Sequence, residues 1–199
     1  MLAYAGIEYE SMDYEIGPAW QKDKESLGLD FPNLPYLIDG GTKLTESWAI
    51  YRYLGRKFGL RPTTEIEECA CDMLEGVLAD ITRFLVMAVY SPDLIQNLSE
   101  LRDKQSTKIK HIDKFLSGQD YVAGSKLTYV DFVLFDVIDI HRLLFPDILN
   151  EMKNMDGFMK RFEDLKPIST YLSSKNYKKF PIFAPFATWG GKDHDDRTW

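Results

Sequence analysis

The hydrophobic period of the chain changes near residue 45, and this change limits the architectures that the chain can adopt. Before that point Ile7–Met12 alternates like a half-buried strand, and Pro35–Asp39 is a short apolar run closed by a Gly40-Gly41 turn. After the turn, Lys43-Leu44 can pair back as a hairpin strand. From Thr45 the apolar residues recur at helical spacing instead. The first quarter of the chain therefore predicts a small α/β unit.

Beyond the hairpin, the pattern predicts helices almost throughout. The first begins at Thr45 and ends near Lys57 and Gly59, and Leu60–Thr64 reads as a linker because its proline blocks helix propagation. Further amphipathic or apolar helical patterns cover Cys69–Tyr90, Leu101–Leu116, Met152–Leu165 and Ile168–Leu172, with one more beginning at Thr128. We predict an α/β domain over residues 1–59, a linker over 60–64 and an all-helical domain over 65–199.

The helix that begins at Thr128 carries the clearest local start signal. The Asp131 carboxylate can accept from the Thr128 amide while the Thr128 hydroxyl accepts from the Asp131 amide, which is a capping box. Leu127 and Phe132 stand at the flanking hydrophobic positions. Such a box contributes about 1 kcal/mol and sets where a helix begins, so it predicts a folding role rather than a chemical one.

Net charge and apolar run lengths exclude several classes of function. The net charge is −7 and no Lys/Arg stripe reverses it locally, so nucleic acid and anionic lipid are unfavourable partners. The first eight residues include no basic segment, and no stretch reaches the ~20 apolar residues of a membrane span. The expected location is the cytoplasm.

Cysteines and histidines give no sign of a metal or redox centre. Cys69 and Cys71 are two residues apart in a helical stretch, so they point to different faces and predict neither a disulfide nor a metal pair. His111, His141 and His194 have no partner at ligand spacing. A Cys-x-x-Cys motif is absent, which argues against a thioredoxin-like oxidoreductase.

One long segment closely resembles the glutathione-binding region of mu-class glutathione transferases: Leu27–Gly40 followed by Leu44–Ile50. The similarity extends from Leu2 to Ala187–Gly190, leaving only the polar tail from Lys192 to Trp199 outside it. The resemblance implies a thioredoxin-like N-terminal domain followed by a helical bundle. It also implies transfer of the glutathione thiolate to small hydrophobic electrophiles, with glutathione as co-substrate and no other cofactor.

The same resemblance implies how the tripeptide is held along its backbone. Family members hold the bond matching Leu34-Pro35 in the cis form, which turns the Leu34 amide and carbonyl outward for the cysteinyl backbone of glutathione. Asn33 precedes this bond. Taken alone and without a ligand, Asn33-Leu34-Pro35 is more typical of a tight turn before a strand.

Four further residues match positions that contact the ends of glutathione. Ser47 opens a helix whose electropositive start suits the γ-glutamyl carboxylate, and Glu46 replaces a usual glutamine but can pair with the γ-glutamyl ammonium. Trp20 and Lys24 match contacts to the glycyl end. The alternatives are an ordinary helix cap for Glu46-Ser47, an apolar anchor for Trp20 and a surface residue for Lys24.

Three residues match positions that act across subunits or on the electrophile. Asp80 matches an acid that reaches glutathione bound in the neighbouring subunit, although it can equally be a helix-surface carboxylate. Tyr90 matches a hydroxyl that donates to the electrophile as charge develops. Phe31 matches the aromatic key that inserts into a partner subunit, so the resemblance implies a homodimer.

The resemblance also implies a missing element. Mu-class members stabilise the thiolate with a tyrosine in a Gly-Tyr-Trp motif on their first strand, and this sequence contains no such motif. Met1–Tyr4 matches the end of the first helix, and Tyr4, Tyr9 and Tyr14 match other positions, so no catalytic residue is identified. We therefore also consider a non-catalytic ligand-binding or dimerisation module, and expect the N-terminal domain to have open strand edges.

Overall fold

The computed structural model describes residues 1–14 and 17–197. The chain divides into two compact units, Met1–Arg61 and Pro62–Trp199. This division falls within the stretch 60–64, where proline and threonine residues interrupt the helical pattern.

The first unit is built around a β-hairpin. Strand β1 (Tyr36–Asp39) pairs antiparallel with β2 (Thr42–Thr45), and Tyr36 lies directly opposite Thr45. Gly40 has a φ of 59°, which the tight connection requires and which glycine adopts without a steric penalty. The hairpin predicted from the apolar run and its glycine pair is thus confirmed.

Helix α2 (Ser47–Lys57) follows the hairpin and is tied to its turn end. The Tyr53 hydroxyl donates to Asp39 Oδ2 at 2.8 Å, and the Lys57 ammonium binds the same oxygen. Lys57 first, and then Tyr53, hold the pKa of the Asp39 carboxyl below its usual value. Since α2 begins after the other end of the hairpin, these contacts orient the whole helix along β1.

The prediction of a strand at Ile7–Met12 is wrong. Residues 7–14 have no regular structure, and the side chains of Ile7, Tyr9 and Met12 are exposed. A strand forms only when its amides and carbonyls find a neighbouring strand, and β1 and β2 make the only sheet in the described part of the chain. The alternation of apolar and polar residues was therefore not sufficient to form a strand at Ile7–Met12.

A short helix that the periodicity did not predict follows this stretch. Helix α1 (Pro18–Asp23) begins at Pro18, whose fixed φ suits the first turn of a helix. It is six residues long and none of its residues is buried. The Gly17-Pro18 pair was a signal that could have located it.

The second unit is all-helical, as predicted. Its helices are α3 (Glu65–Val89), α4 (Leu98–Phe115), α5 (Tyr129–Leu144), α6 (Lys153–Glu163) and α7 (Lys166–Leu172). Helix α3 begins earlier than Cys69 because Thr64 caps it: its Oγ1 accepts from the Glu67 amide at 3.3 Å. The Glu67 carboxylate in turn accepts from the Thr63 amide at 2.6 Å.

Helix α5 lies at the centre of this unit and is buried over most of its length. The predicted capping box forms at its start, with Asp131 Oδ2 accepting from the Thr128 amide at 2.7 Å. Asp131 Oδ1 also accepts from the Val122 amide at 2.8 Å, a loop contact that the box alone did not predict. Burial, the largest influence, raises the pKa of Asp131 to about 6.

The polar tail is described as far as residue 197, and Thr198 and Trp199 lie outside the described residues. Within that range the tail contacts the segment just before it. The Gly190 amide donates to Asp196 Oδ1 at 3.2 Å, and the Lys192 ammonium lies 3.7 Å from Asp196 Oδ2. Arg197 pairs with Asp195.

Candidate functional site

Two of the predicted binding segments leave the hairpin at the same end. Because Tyr36 pairs directly with Thr45, the residue before β1, Pro35, and the residue after β2, Glu46, extend from neighbouring positions of one sheet edge. The hairpin register therefore brings together the Leu34 main chain and the start of α2. A peptide that hydrogen-bonds to the first can reach the second with its adjoining group.

The bond between Leu34 and Pro35 is cis, as the resemblance implies. All three residues of Asn33-Leu34-Pro35 are exposed. The Leu34 amide is not free, however: it donates to Asn33 Oδ1 at 2.9 Å. A peptide ligand that uses this amide has to displace a side-chain acceptor supplied by the neighbouring residue.

Glu46 holds an unusual backbone conformation at the start of α2. Its φ is 67°, it is the only non-glycine residue with a positive φ in the described chain, and such a conformation costs of order 1–3 kcal/mol. The Glu46 side chain makes no capping hydrogen bond, and the first turn of α2 carries no acidic residue. The ordinary helix cap that was the alternative for this position is therefore not formed.

The consequence is an open, electropositive helix start. Ser47 is exposed as the first helical residue, and the amides of the first turn have no side-chain acceptor from Glu46. These amides and the Ser47 hydroxyl can donate to a carboxylate. The exposed Glu46 carboxylate next to them can accept from an ammonium, so the pair suits the two charges of an amino-acid head group.

Trp20 and Lys24 lie on and just after α1. The Trp20 ring stacks on that of Tyr36 with centroids 6.1 Å apart, and the Tyr14 ring meets its edge at 5.3 Å. The Lys24 ammonium lies 3.9 Å from the Glu25 carboxylate, an exposed and weak pairing. Stacking on Tyr36 engages the face of the indole, whereas its N–H lies in the ring plane. Trp20 is thus an apolar anchor, but the stacking does not engage its indole N–H.

Asp80 belongs to the second unit, on α3. Its carboxylate is about half exposed and pairs with Arg83 at 2.8 Å and with Lys108 at 3.4 Å. Lys108 also lies over the Phe84 ring, 4.9 Å from its centroid. An ammonium approaching Asp80 therefore competes with two cations of the same chain.

Tyr90 ends α3 and is held by the C-terminal segment of the same unit. Its hydroxyl oxygen accepts from the Ala184 amide at 2.9 Å, so the hydroxyl proton remains available for donation. Phe183 and Phe186 contact the ring, with centroids 6.0 and 5.2 Å away. Sequence analysis missed this aromatic pair, although two phenylalanines flanking Pro185 were a visible signal.

Exposed apolar side chains mark both units. Phe31, in the loop between α1 and β1, is 76% exposed. Helix α3 exposes a second apolar face opposite its buried one, at spacings of three, four and seven residues. This face comprises Ile66, Met73, Val77, Phe84 and Met87. Sequence analysis predicted an amphipathic helix here and missed that the helix is apolar on two faces.

The tyrosines near the start give no reason to assign a thiolate donor. Tyr9 is exposed, and the Tyr14 hydroxyl lies 3.5 Å from that of Tyr36. This hydrogen bond is the main cause that raises the pKa of Tyr14 to about 12, which makes it a weaker acid. We assign no catalytic residue.

Of the cysteine and histidine residues, Cys71 and His141 lie in the core, and Cys69, His111 and His194 are exposed. His141 is buried, with Nδ1 2.6 Å from the Val137 carbonyl, and burial lowers its pKa to about 4. Cys69 and Cys71 are both free, and burial raises the pKa of Cys71 to about 11. Among the described residues, no group of three or more His, Cys, Asp or Glu could hold a metal ion. None of the described helices combines the length and apolar character needed to cross a membrane.

Two family models match the chain, one to each unit. The model described as "Glutathione S-transferase, N-terminal domain" matches residues 1–56, and that described as "Glutathione S-transferase, C-terminal domain" matches residues 80–175. Their order along the chain agrees with the α/β and helical units.

Curated relatives and solved structures agree with this match. Glutathione S-transferase B of Cavia porcellus is 43% identical, over 96% of this chain and 92% of that protein, and glutathione S-transferase Mu 2 of Rattus norvegicus is 44% identical over 96% and 91%. The crystal structure of glutathione S-transferase Blo t 8 superposes with a TM-score of 0.88 at 36% identity, over 95% of this chain and 91% of that one. The fold is therefore a thioredoxin-like unit followed by a helical one. The chain belongs to the glutathione S-transferase family.

Proposed function

We propose that this protein is a transferase that binds glutathione and joins its sulfur to small hydrophobic electrophiles. The observation that carries the proposal is the hairpin register, which brings the exposed Leu34 main chain and the uncapped start of α2 to one sheet edge. Relatives named glutathione S-transferases, at 43–44% identity over 96% of the chain, support it.

Each part of the tripeptide has a proposed partner. The cysteinyl backbone pairs with the Leu34 main chain, beside Asn33 and Pro35. The γ-glutamyl carboxylate accepts from Ser47 and the first amides of α2, and the γ-glutamyl ammonium pairs with Glu46.

Trp20 and Lys24 donate to the glycyl carboxylate, the first through its indole N–H and the second through its charge. Asp80 contributes to the ammonium site of a second subunit. Tyr90 donates its hydroxyl proton towards the electrophile, in a position supported by the Ala184 amide.

The reaction itself needs the thiolate. The glutathione thiol loses its proton to solvent, the sulfur attacks the electrophilic carbon to form a carbon–sulfur bond, and in an aryl halide the halide leaves with its bonding electrons. A thiol is mostly protonated at neutral pH, so a hydrogen-bond donor to the sulfur raises the rate. No residue of the printed chain is assigned to that donor.

The wider role is proposed as detoxification in the cytoplasm. Two free cysteines are typical of a reducing compartment.

A homodimer is proposed from exposed Phe31 and from the apolar face of α3, because buried apolar anchors dominate the energetics of interfaces. Sedimentation at micromolar concentration tests this: we expect a dimer for the unmodified chain and a shift towards monomer for Phe31→Ser, and a monomeric unmodified chain contradicts the proposal.

Titration calorimetry with glutathione tests the binding site. We expect binding in the millimolar range or tighter, weakened roughly 10- to 100-fold by Ser47→Ala, since a hydrogen bond to a charged group contributes about 1.5–3 kcal/mol. The matched control is Ser173→Ala, an exposed serine at the end of α7, which leaves the affinity unchanged. If no heat of binding is detected at glutathione concentrations up to about 10 mM, the proposed function is wrong.

Turnover separates the transferase from a non-catalytic binding module. Conjugation of a generic aryl halide, followed by absorbance, gives a rate above the uncatalysed one if the chain is a transferase. Binding without any such acceleration supports the module instead.

A further inference from the structure

Helix α1 bears Trp20, and Lys24 follows directly, yet the helix has little to hold it in place. It is six residues long and buries none of them. An isolated helix of that length is not stable in water, because the few hydrogen bonds it closes do not offset the cost of nucleation. Its position must therefore be set by contacts from neighbouring elements.

The hairpin supplies the first of these contacts through an aromatic cluster. The Tyr36 ring, on β1, stacks on Trp20 with an interplanar angle of 13°. Tyr14 packs edge-on against Trp20 and tilted against Tyr36, with centroids 5.3 and 6.4 Å away. Tyr36 is the only one of the three that belongs to a strand, so it joins the cluster to the hairpin.

The hairpin supplies a second contact beyond the end of α1. The Lys43 ammonium, from β2, donates to the Leu27 carbonyl at 2.6 Å. It lies so close to Gly28 that a Cβ there would stand 2.8 Å from Lys43 Nζ, and Gly28 has a φ of 66°. Both strands therefore hold the α1 region, β1 through a ring and β2 through a charge.

We propose that Tyr36 is a positioning residue for the glycyl end of glutathione, acting through Trp20 and the helix that leads to Lys24. This inference rests on the proposed function, which assigns the glycyl carboxylate to those two residues. Tyr36 follows Pro35 directly and opens β1. The main chain proposed for the cysteinyl part, at Leu34, thus lies two residues before the side chain that orients the donors for the glycyl part.

A comparison of two peptides isolates this role. Glutathione and γ-glutamylcysteine differ by the glycyl residue, so a variant that disturbs only the glycyl subsite weakens the first and spares the second. We expect Tyr36→Ala to weaken glutathione binding about three- to tenfold, the range of one aromatic pair. Binding of γ-glutamylcysteine should change less than twofold, both measured by calorimetry.

Two variants control for the ring and for the route of the effect. Tyr36→Phe keeps the stack and should bind glutathione within twofold of the unmodified chain, since it removes only the Tyr36 hydroxyl, which lies 3.5 Å from that of Tyr14. The double variant Tyr36→Ala with Trp20→Ala should bind glutathione no more weakly than Trp20→Ala alone, because residues that act through one another are not additive. If Tyr36→Ala does not fold, Tyr36→Leu keeps the apolar bulk and removes the ring.

The possible outcomes separate this inference from the proposed function. Equal weakening of both peptides by Tyr36→Ala overturns it, because Tyr36 then acts on the hairpin as a whole. Unchanged glutathione binding overturns it too. If the unmodified chain binds neither peptide, the proposed function fails and the inference fails with it.

Discussion

The starts of helices α2 and α5 differ in how they are capped: α5 has a buried side-chain capping box, and α2 has no side-chain cap. At α5, the Asp131 carboxylate accepts from two backbone amides, and both Thr128 and Asp131 are completely buried. At α2, Glu46 has a φ of 67° and makes no side-chain cap, and Ser47, the first helical residue, is exposed.

Every helix start carries amides that have no partner within the helix, so something else must accept from them. At the α5 start the Thr128 side chain accepts from the Asp131 amide in a capping box, and both residues are buried, which stabilises the fold. The α2 start leaves its amides to the outside at some cost in backbone energy, which is what an anion site requires. The difference separates a helix start closed by its own side chains from one that we propose as part of a binding site.

The largest expected effect concerns what the α2 start cannot do. We propose that it holds the γ-glutamyl end of the tripeptide, but it is assigned no donor to the sulfur. Adding a first strand with a Gly-Tyr-Trp motif should raise aryl-halide conjugation by about 10²- to 10³-fold, the size of one oxyanion-type donor. The matched control carries Gly-Phe-Trp, which restores the strand without the hydroxyl. Equal rates for the unmodified chain and the Gly-Tyr-Trp version would show that the tyrosine hydroxyl is not needed.

Next in size is removal of the internal acceptor at α5. Asp131→Ala leaves the Val122 and Thr128 amides buried without their acceptor, so we expect a loss of about 2–4 kcal/mol in the free energy of unfolding. Urea denaturation measures this. Asp103→Ala, an exposed aspartate on α4, should stay within about 0.5 kcal/mol. A loss below 1 kcal/mol for Asp131→Ala would remove the contrast drawn between the two helix starts.

The pH dependence of stability sharpens the same contrast. The pKa of Asp131 is raised to about 6 in the folded protein, above its unfolded value, so the folded state binds the proton more tightly. Its contribution is fully present below pH ~4 and is lost as pH rises through about 6, amounting to at most about 3 kcal/mol. The stability of the unmodified chain relative to Asp131→Asn, which cannot titrate, should therefore fall between pH 4.5 and 6.5 in urea titrations. A constant difference contradicts this.

The smallest expected effect is at Glu46. Glu46→Gly removes the cost of the positive φ and should stabilise the protein by about 1 kcal/mol while weakening glutathione binding through loss of the carboxylate. Glu46→Ala keeps the backbone cost and should weaken glutathione binding to a similar extent without the gain in stability. Thermal unfolding and calorimetry measure the two quantities. Destabilisation by glycine would mean that the Glu46 conformation is not strained.

Sequence analysis succeeded where the governing interactions are local. The capping box at Thr128 and the Gly40 turn each depend on residues a few positions apart, so their residue types suffice to predict them. The strand predicted at Ile7–Met12 failed because pairing needs a partner from elsewhere in the chain. Helix α1 was missed because its position depends on a ring of β1.

The same distinction between local patterns and contacts of distant residues applies to the candidate site. A resemblance in sequence located Asn33, Leu34, Pro35, Glu46 and Ser47. Only the structure showed that Asn33 already occupies the Leu34 amide, and that the hairpin register carries both segments to one edge. Phe183 and Phe186 were missed because they meet Tyr90 from more than ninety residues away in sequence.

By itself, the sequence determined the class of each half and the beginning of the buried helix α5, and a resemblance within it indicated the family to which the chain belongs. The class of each half and the start of α5 follow from hydrophobic period, capping residues and turn chemistry, which act over a few residues. The tertiary structure alone decided which helix start is open, which donors are already engaged and what holds Trp20. Those properties depend on contacts between distant residues, whose geometry is not encoded in any local pattern.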